Sequence, residues 1–125
     1  MILHERRHGF PTMTDNKEAL MIWEHEYGNK EYAYDFTGKK IKRTDYLVKN
    51  QVGWVITYLK PLELGGEPNI GNTIIMHHRS FEERALQYPK IIIDTEVYIV
   101  HHCEKDDYYY IERQLNDDDY DGVII

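Results

Sequence analysis

The sequence predicts an α+β domain in which an amphipathic helix precedes a strand, turn, strand and helix unit, and a β-hairpin follows. Three observations support this prediction. Apolar residues recur at three- and four-residue spacing early in the chain, a β-branched run meets Pro61 and a Gly65-Gly66 pair in the middle, and strand-like runs fill the final third. The 125 residues, of which 42% are hydrophobic and 30% charged, fit one domain over residues 15–115.

The two ends of the chain differ from this central part. Residues 1–14 show little pattern and are interpreted either as a disordered N-terminal arm or as the result of an upstream start. Residues 116–125 form an acidic tail. The single cysteine, Cys103, excludes an internal disulfide. We find no signal peptide and no apolar run near the ~18 residues of a membrane helix, so we expect a cytoplasmic protein without membrane contact.

The first element is a helix over residues 15–27. Its apolar face consists of Ala19, Leu20, Ile22, Trp23 and Tyr27. Asp15 followed by Glu18 is typical of an N-cap with a capping-box acid, and Gly28 predicts the C-terminal stop. Residues 32–43 follow, with a Thr37-Gly38 turn that predicts a loop or short hairpin.

The middle of the chain predicts two strands and a second helix. The β-branched and aromatic content of residues 52–59 indicates a strand, which Pro61 ends and Gly65-Gly66 turns. Residues 74–76 are the returning strand. Residues 77–88 are predicted to be a helix that Pro89 stops.

The final third predicts three further strands, at residues 91–93, 97–102 and 108–111. A polar turn at residues 104–107 would join the last two as a hairpin. Within them, His101 and His102 are adjacent and should point to opposite faces, so we do not expect them to bind one metal ion.

The order of these residues resembles the core of HNH endonucleases, in which a strand ends in Asp-His, a Pro and a Gly-Gly turn lead to an Asn, and a short helix opens with a second His. The matching residues here are Pro61, Gly65, Gly66, Asn72 and His77. The stretch from Tyr34 to Ile41 also resembles an Asp-Phe-x-Gly-Arg-x-Ile element that precedes the core in some HNH proteins. The chain departs from the family at Thr57-Tyr58, which replaces Asp-His, and at Phe81, where relatives often have Asn or His.

The resemblance implies an HNH-like ββα core with a vestigial site at Thr57, Tyr58, Asn72 and His77. In the family, the Asp and the helix His hold a divalent metal while the first His activates water. Thr57 offers only a hydroxyl, and the phenol of Tyr58, with a pKa near ~10, is a poor base at neutral pH. We therefore expect no catalytic residue and no cofactor, with His77 as the one weak metal candidate. We also expect Thr57 and Tyr58 to lie beside His77, and Asn72 to brace the loop.

The charge distribution bears on the partner. Residues 94–125 have a net charge of −8 and the remainder +1, for a total of −7. This acidic third would repel phosphate and suits a basic protein surface. The candidate binding residues are Asp106, Asp107, Asp117, Asp118, Asp119 and Asp121, with Glu104 in the same turn, and a separate basic run of Lys39, Lys40, Lys42 and Arg43.

The sequence therefore favours a catalytically inactive HNH-like protein that binds a basic nucleic-acid-handling protein or nuclease complex. Such a chain would suit a phage or mobile-element inhibitor, for example an anti-CRISPR or anti-restriction protein, in a bacterial or phage-infected cell. Two alternatives stay open. One is a divergent nuclease that uses Mg²⁺ or Mn²⁺ with His77, Asn72 and a relocated acid such as Glu63, Glu67 or Glu82. The other is a nucleic-acid binder that uses the basic run and Lys60.

Overall fold

The structure, a computed structural model, describes residues 14–115 and combines helices with strands, as the α+β prediction expected. Its elements in chain order are α1 (Asn16–Tyr27), β1 (Tyr32–Tyr34), β2 (Lys40–Lys42), β3 (Trp54–Tyr58), the 3-10 helices Leu62–Leu64 and Ile70–Asn72, β4 (Thr73–His77), α2 (His78–Glu83), β5 (Ala85–Gln87), β6 (Lys90–Ile93), β7 (Glu96–Cys103) and β8 (Tyr108–Arg113). Within this range no helix has the length and apolar character that a membrane crossing requires. The predicted N-terminal arm, apart from Thr14, and the acidic tail lie outside the described residues.

The first helix begins and ends where the sequence predicted. The Asp15 side chain accepts a hydrogen bond from the Glu18 N–H over 2.8 Å, which satisfies a donor left free at the helix start. At the other end, Gly28 has a φ of 69° and donates its N–H to the Glu24 carbonyl. Trp23 is fully buried, so the apolar face predicted from the spacing is the packed face.

In residues 14–115 the strands form three antiparallel sheets. β1 pairs with β2, β3 pairs with β4, and the other four strands are ordered β5-β6-β7-β8. In the second sheet, Trp54 lies opposite His77 and Tyr58 lies opposite Thr73, so the start of β3 is beside the end of β4. In the third sheet, the turn at residues 104–107 joins β7 to β8, as predicted.

The second helix is shorter than predicted, and the prediction of a helix to residue 88 is wrong. α2 ends at Glu83, and Arg84 is extended, with φ −69° and ψ 142°. Residues 85–87 form β5 instead, in which Leu86 lies opposite Ile91 and packs on the core of the four-stranded sheet. Strand pairing and the partial burial of Leu86 outweigh the helix preference of this segment, because intrinsic propensities are small beside tertiary packing.

The core of the described part of the chain has two main clusters. The first lies between α1 and the two small sheets and contains Ala19, Trp23, Ala33, Ile41, Tyr46, Trp54, Ile56 and Ile75. In it the Trp23 and Trp54 rings lie 5.0 Å apart, and Trp54 and Ile56 share one face of β3, as predicted. The second cluster packs on the four-stranded sheet and contains Leu59, Ile91, Ile93, Tyr98 and Val100. Phe36 and Ile74 contact this second cluster and also a small group formed by Val55, Met76 and Phe81.

Candidate functional site

The residues that the resemblance marks as a vestigial site are not brought together. Because Trp54 pairs with His77 and Tyr58 pairs with Thr73, Tyr58 lies four positions along β3 from the residue opposite His77. A strand rises about 3.3 Å per residue, so this separation is roughly 13 Å along the strand. The expectation that Thr57 and Tyr58 lie beside His77 is therefore wrong. Antiparallel pairing places the end of β3 at the start of β4, whereas His77 is the last residue of β4.

His77 is 2% exposed, and its backbone N–H and both ring nitrogens form hydrogen bonds within the fold. The ring Nε2 lies 2.9 Å from the carbonyl oxygen of Gln51, which can only accept, so Nε2 carries the proton. Nδ1 accepts the Arg79 N–H over 3.0 Å and thereby caps α2. Burial, the largest cause, lowers the pKa of His77 and favours the neutral ring that this arrangement needs. A metal ion could bind the ring only by displacing one of these hydrogen bonds.

A buried carboxylate that the sequence analysis missed lies beside His77. Asp35 Oδ2 accepts hydrogen bonds from the His77 N–H over 2.9 Å and from the Ser80 hydroxyl over 2.8 Å. Its Oδ1 accepts from the N–H and hydroxyl of Thr37 and from the Lys39 N–H, over 2.7 to 2.9 Å. These five donors join the β1–β2 turn to the start of α2. The available signal was an Asp two residues before Thr37 in a turn, which is the pattern of an Asx turn.

Asn72 braces the loop between β3 and β4, and the prediction of this role is confirmed. Its Oδ1 accepts the Lys60 N–H over 2.8 Å, and its Nδ2 donates to the carbonyls of Lys60 and Glu67, both over 3.0 Å. A Cβ atom at Gly66 would lie 2.0 Å from the Lys60 carbonyl oxygen and 2.9 Å from Asn72 Nδ2. Gly66 is therefore required by the close approach of this loop.

His78 stacks on His77, with ring centroids 4.6 Å apart, and lies near an acid. Its Nε2 is 2.7 Å from the Asn50 carbonyl oxygen, and its Nδ1 is 3.5 Å from Oε2 of Glu82. The same Glu82 oxygen lies 3.4 Å from Nζ of Lys49. Glu82, one of the acids considered for a relocated ligand, thus lies beside a histidine. Even so, residues 14–115 contain no group of three or more His, Cys, Asp or Glu side chains that could hold a metal ion.

The two histidines of β7 point to opposite faces of the hairpin, as predicted. His101 stacks on Tyr110, and His102 stacks on Tyr109. Each also contacts an acid of the last third, His101 with Glu112 over 2.9 Å and His102 with Asp107 over 3.0 Å. Two ion pairs lie in the same region, Lys39–Asp94 at 3.0 Å and Arg113–Glu96 at 3.1 Å.

Two acids of the β7–β8 turn differ from these paired residues. Glu104 and Asp106 are exposed, and neither forms an ion pair with any residue in the range 14–115. Asp106 is thus available at the surface, whereas Asp107 is engaged by His102. The other predicted acidic contacts, Asp117, Asp118, Asp119 and Asp121, lie outside the described residues.

The predicted basic run lies on and beside β2 and comprises Lys39, Lys40, Lys42 and Arg43. Tyr32 pairs with Lys42 and Tyr34 with Lys40, so these four side chains share the outer face of the hairpin. Nζ of Lys40 lies 4.6 Å, and that of Lys42 5.6 Å, from the centre of the Tyr32 ring. The sequence analysis identified the lysines of this face but not its tyrosines.

Comparison of the chain with protein-family models, with curated proteins and with solved structures found no match. Its function is therefore inferred from its own residues and their geometry.

Proposed function

We propose that this chain acts by binding a protein with a basic surface, and that the β7–β8 turn forms part of the contact. The observation that supports this proposal is the position of Glu104 and Asp106, which are exposed at a hairpin tip without an ion pair among the described residues. Acids that are not neutralised locally attract a basic partner over about a Debye length, ~8 Å at physiological salt. The acidic tail follows the same hairpin in the sequence and adds to this charge.

The residues that resemble an HNH site favour binding over catalysis in this proposal. A metal-dependent nuclease gathers its ligands and its base around one phosphate. Here His77 caps a helix and Asn72 braces a loop, while Tyr58 lies at the other end of the β3–β4 pair. On this view the chain uses an HNH-like scaffold to bind a nucleic-acid-handling protein, as a phage or mobile-element inhibitor would.

Quantitative capture from a nuclease-treated bacterial extract tests the proposal. The tagged full chain is compared with Glu104→Lys/Asp106→Lys and with a control, Glu24→Lys/Glu83→Lys, which makes the same charge change at exposed acids elsewhere. We expect the parent and the control to retain basic nucleic-acid-handling proteins that the turn variant loses. Equal capture by all three chains would contradict a contact at the turn.

The outer face of the β1–β2 hairpin supports a second candidate function, the binding of single-stranded nucleic acid. Tyr34 and Tyr32 are 62% and 43% exposed and could stack on bases, and the lysines opposite them could contact phosphates. Fluorescence anisotropy with a labelled oligonucleotide tests this candidate. It predicts binding that weakens steeply with salt and is lost in Lys40→Glu/Lys42→Glu. No binding at low salt would remove it.

A further inference from the structure

We infer that the segment recognised by this protein is an extended peptide with apolar and basic residues, bound as an added strand in a groove between β4 and β8. The inference rests on the proposed function, because it specifies what a basic partner would contribute. The groove has a volume of about 510 Å³ and is bounded by β4, β8, the end of α1 and β1. Neither the pattern of strands nor any motif in the sequence indicated it.

The groove runs along the free edges of two strands. Residues 108–111 of β8 and 73–75 of β4 all line it. Successive residues of a strand point to opposite faces, so a groove lined by consecutive residues lies at the edge of the strand and not over one face. β4 pairs only with β3, and β8 only with β7, within residues 14–115. Each strand therefore presents an unpaired backbone edge, which is a template for another strand.

The hydrogen-bond pattern identifies the backbone groups that face the groove from β8. Gln114 donates its N–H to the Val97 carbonyl, and bonded and non-bonded pairs alternate along an antiparallel ladder. Tyr110 therefore bonds to β7, whereas the N–H and C=O of Tyr109 and Ile111 point away from it. No hydrogen bond within residues 14–115 engages these outward groups.

The same alternation applies to β4. His78 donates its N–H to the Gly53 carbonyl, and Leu59 donates its N–H to the Asn72 carbonyl. The N–H and C=O of Ile75, which lies between these bonded positions, consequently point away from β3. The groove is thus bordered by outward-facing backbone donors and acceptors of β8 and of β4.

The side chains around the groove indicate what such a strand contains. The lining is largely apolar and aromatic, and one lining residue, Ile70, is 52% exposed, so apolar side chains of a peptide would cover it. From α1, His25 and Glu26 add polar groups, and the acidic turn with Glu104 and Asp106 directly precedes β8. This negative charge favours Lys or Arg beside the apolar residues.

Amide hydrogen exchange, followed by NMR on the full chain, tests the inference with the synthetic peptide Lys-Val-Lys-Tyr-Lys-Val-Lys. We expect the peptide to slow exchange of the Tyr109, Ile111 and Ile75 amides by about tenfold or more, because new hydrogen bonds protect them. The Tyr108 and Tyr110 amides, which already bond to β7, serve as the internal reference. A peptide with Glu in place of Lys should bind more weakly, and one with alternate N-methylated amides should not protect the three amides.

A matched pair of surface variants tests the groove independently of backbone exchange. Ile70→Asp should weaken binding of the peptide Lys-Val-Lys-Tyr-Lys-Val-Lys about tenfold, since the substitution places a charge in the apolar lining. Leu64→Asp is the control, because Leu64 is 55% exposed and lies outside the groove. Equal weakening by both variants would contradict the location of the site.

Other outcomes would overturn the inference. Failure of the peptide to bind, or binding without slower exchange of Tyr109 and Ile111, would exclude strand addition. The Tyr109 and Ile111 amides could instead exchange slowly without any peptide. If Val123→Asp/Ile125→Asp removes that protection, the groove is occupied by the chain's own C-terminal residues. If protection of these amides in the free chain increases with protein concentration, the groove is occupied by a second copy of the chain. If instead the peptide protects these amides while Glu104→Lys/Asp106→Lys captures partners normally, the groove stands and the proposed contact at the turn fails.

Discussion

The N–H of His77 donates a hydrogen bond to Oδ2 of Asp35 over 2.9 Å and joins residues that lie 42 positions apart. The bond connects the β1–β2 turn to the end of β4, where α2 begins. Asp35 is 4% exposed, and it accepts five hydrogen bonds from groups of the β1–β2 turn and of the start of α2. The position that resembles a nuclease ligand is thus fixed in a structural network.

Replacing Asp35 with Asn should destabilise the protein by about 2–4 kcal/mol, because five donors face the carboxylate and an amide offers only one oxygen. Donors that face the amide nitrogen would lose their acceptor in a buried position. The measurement is the urea midpoint, with an unchanged m-value showing that the change is in stability. Asp94→Asn, which removes only the partly exposed pair with Lys39, should cost about 1 kcal/mol or less. A similar cost for both variants would contradict the network.

Asn72→Ala should also destabilise the protein by about 2–4 kcal/mol, since a buried side chain loses three partly buried hydrogen bonds to the backbone together. At roughly 4–8 °C per kcal/mol for a domain of this size, the thermal midpoint should fall by about 10 °C or more. Asn69→Ala is the control, because Asn69 makes no side-chain capping bond at its 3-10 helix. A drop of only one or two degrees for Asn72→Ala would show that the loop does not depend on this side chain.

Stability should fall as the pH drops below the ordinary His pKa of 6.5, and His77 should account for part of this change. Burial lowers the pKa of His77 in the folded chain, so below 6.5 the unfolded chain binds a proton that the folded chain does not. The contribution of neutral His77 to stability is therefore complete at pH values above its pKa in the unfolded chain. It is lost as the pH falls toward its lowered pKa in the folded chain. Urea unfolding between about pH 7.5 and pH 5.5 should show a smaller loss for His77→Gln than for the parent. Parallel curves for the two chains would contradict this role.

Millimolar Mg²⁺ or Mn²⁺ should change the thermal midpoint by less than about 1 °C, because a metal stabilises only a native state that binds it. His77 has both ring nitrogens engaged, and His78 has only Glu82 as a nearby acid among the described residues. Plasmid DNA should stay intact under the same conditions. A rise of several degrees, or cleavage, that disappears in His77→Ala or His78→Ala would restore the nuclease alternative.

Local signals in the sequence predicted the parts of the fold that local interactions determine. Asp15 and Gly28 mark the ends of α1 because capping depends on a few neighbouring residues, and the β7–β8 hairpin follows from a polar turn between strand-like runs. The end of α2 could not be predicted in this way, since it depends on the partial burial of Leu86 against strands that come later in the chain.

The candidate site was harder to predict because it depends on register and on distant contacts. The order of Tyr58 and His77 in the sequence does not reveal that β3 and β4 place them at opposite ends of the pair. The Asp35 network joins two segments that lie about forty residues apart, and only the Asx turn at Asp35 and Thr37 has a local sequence signature. The groove arises because β4 and β8 are edge strands of different sheets, and no single segment encodes that arrangement.

The most direct test of the proposed function is the association rate of a captured basic partner with the parent and with Glu104→Lys/Asp106→Lys. Between about 0.05 M and 0.5 M salt the Debye length shrinks several-fold, so attraction at the acidic turn should make the parent's association rate fall steeply. The variant should associate more slowly at low salt and show a much flatter salt dependence, whereas Glu24→Lys/Glu83→Lys should stay close to the parent. Equal rates and equal salt dependence for the parent and the turn variant would contradict a contact at Glu104 and Asp106.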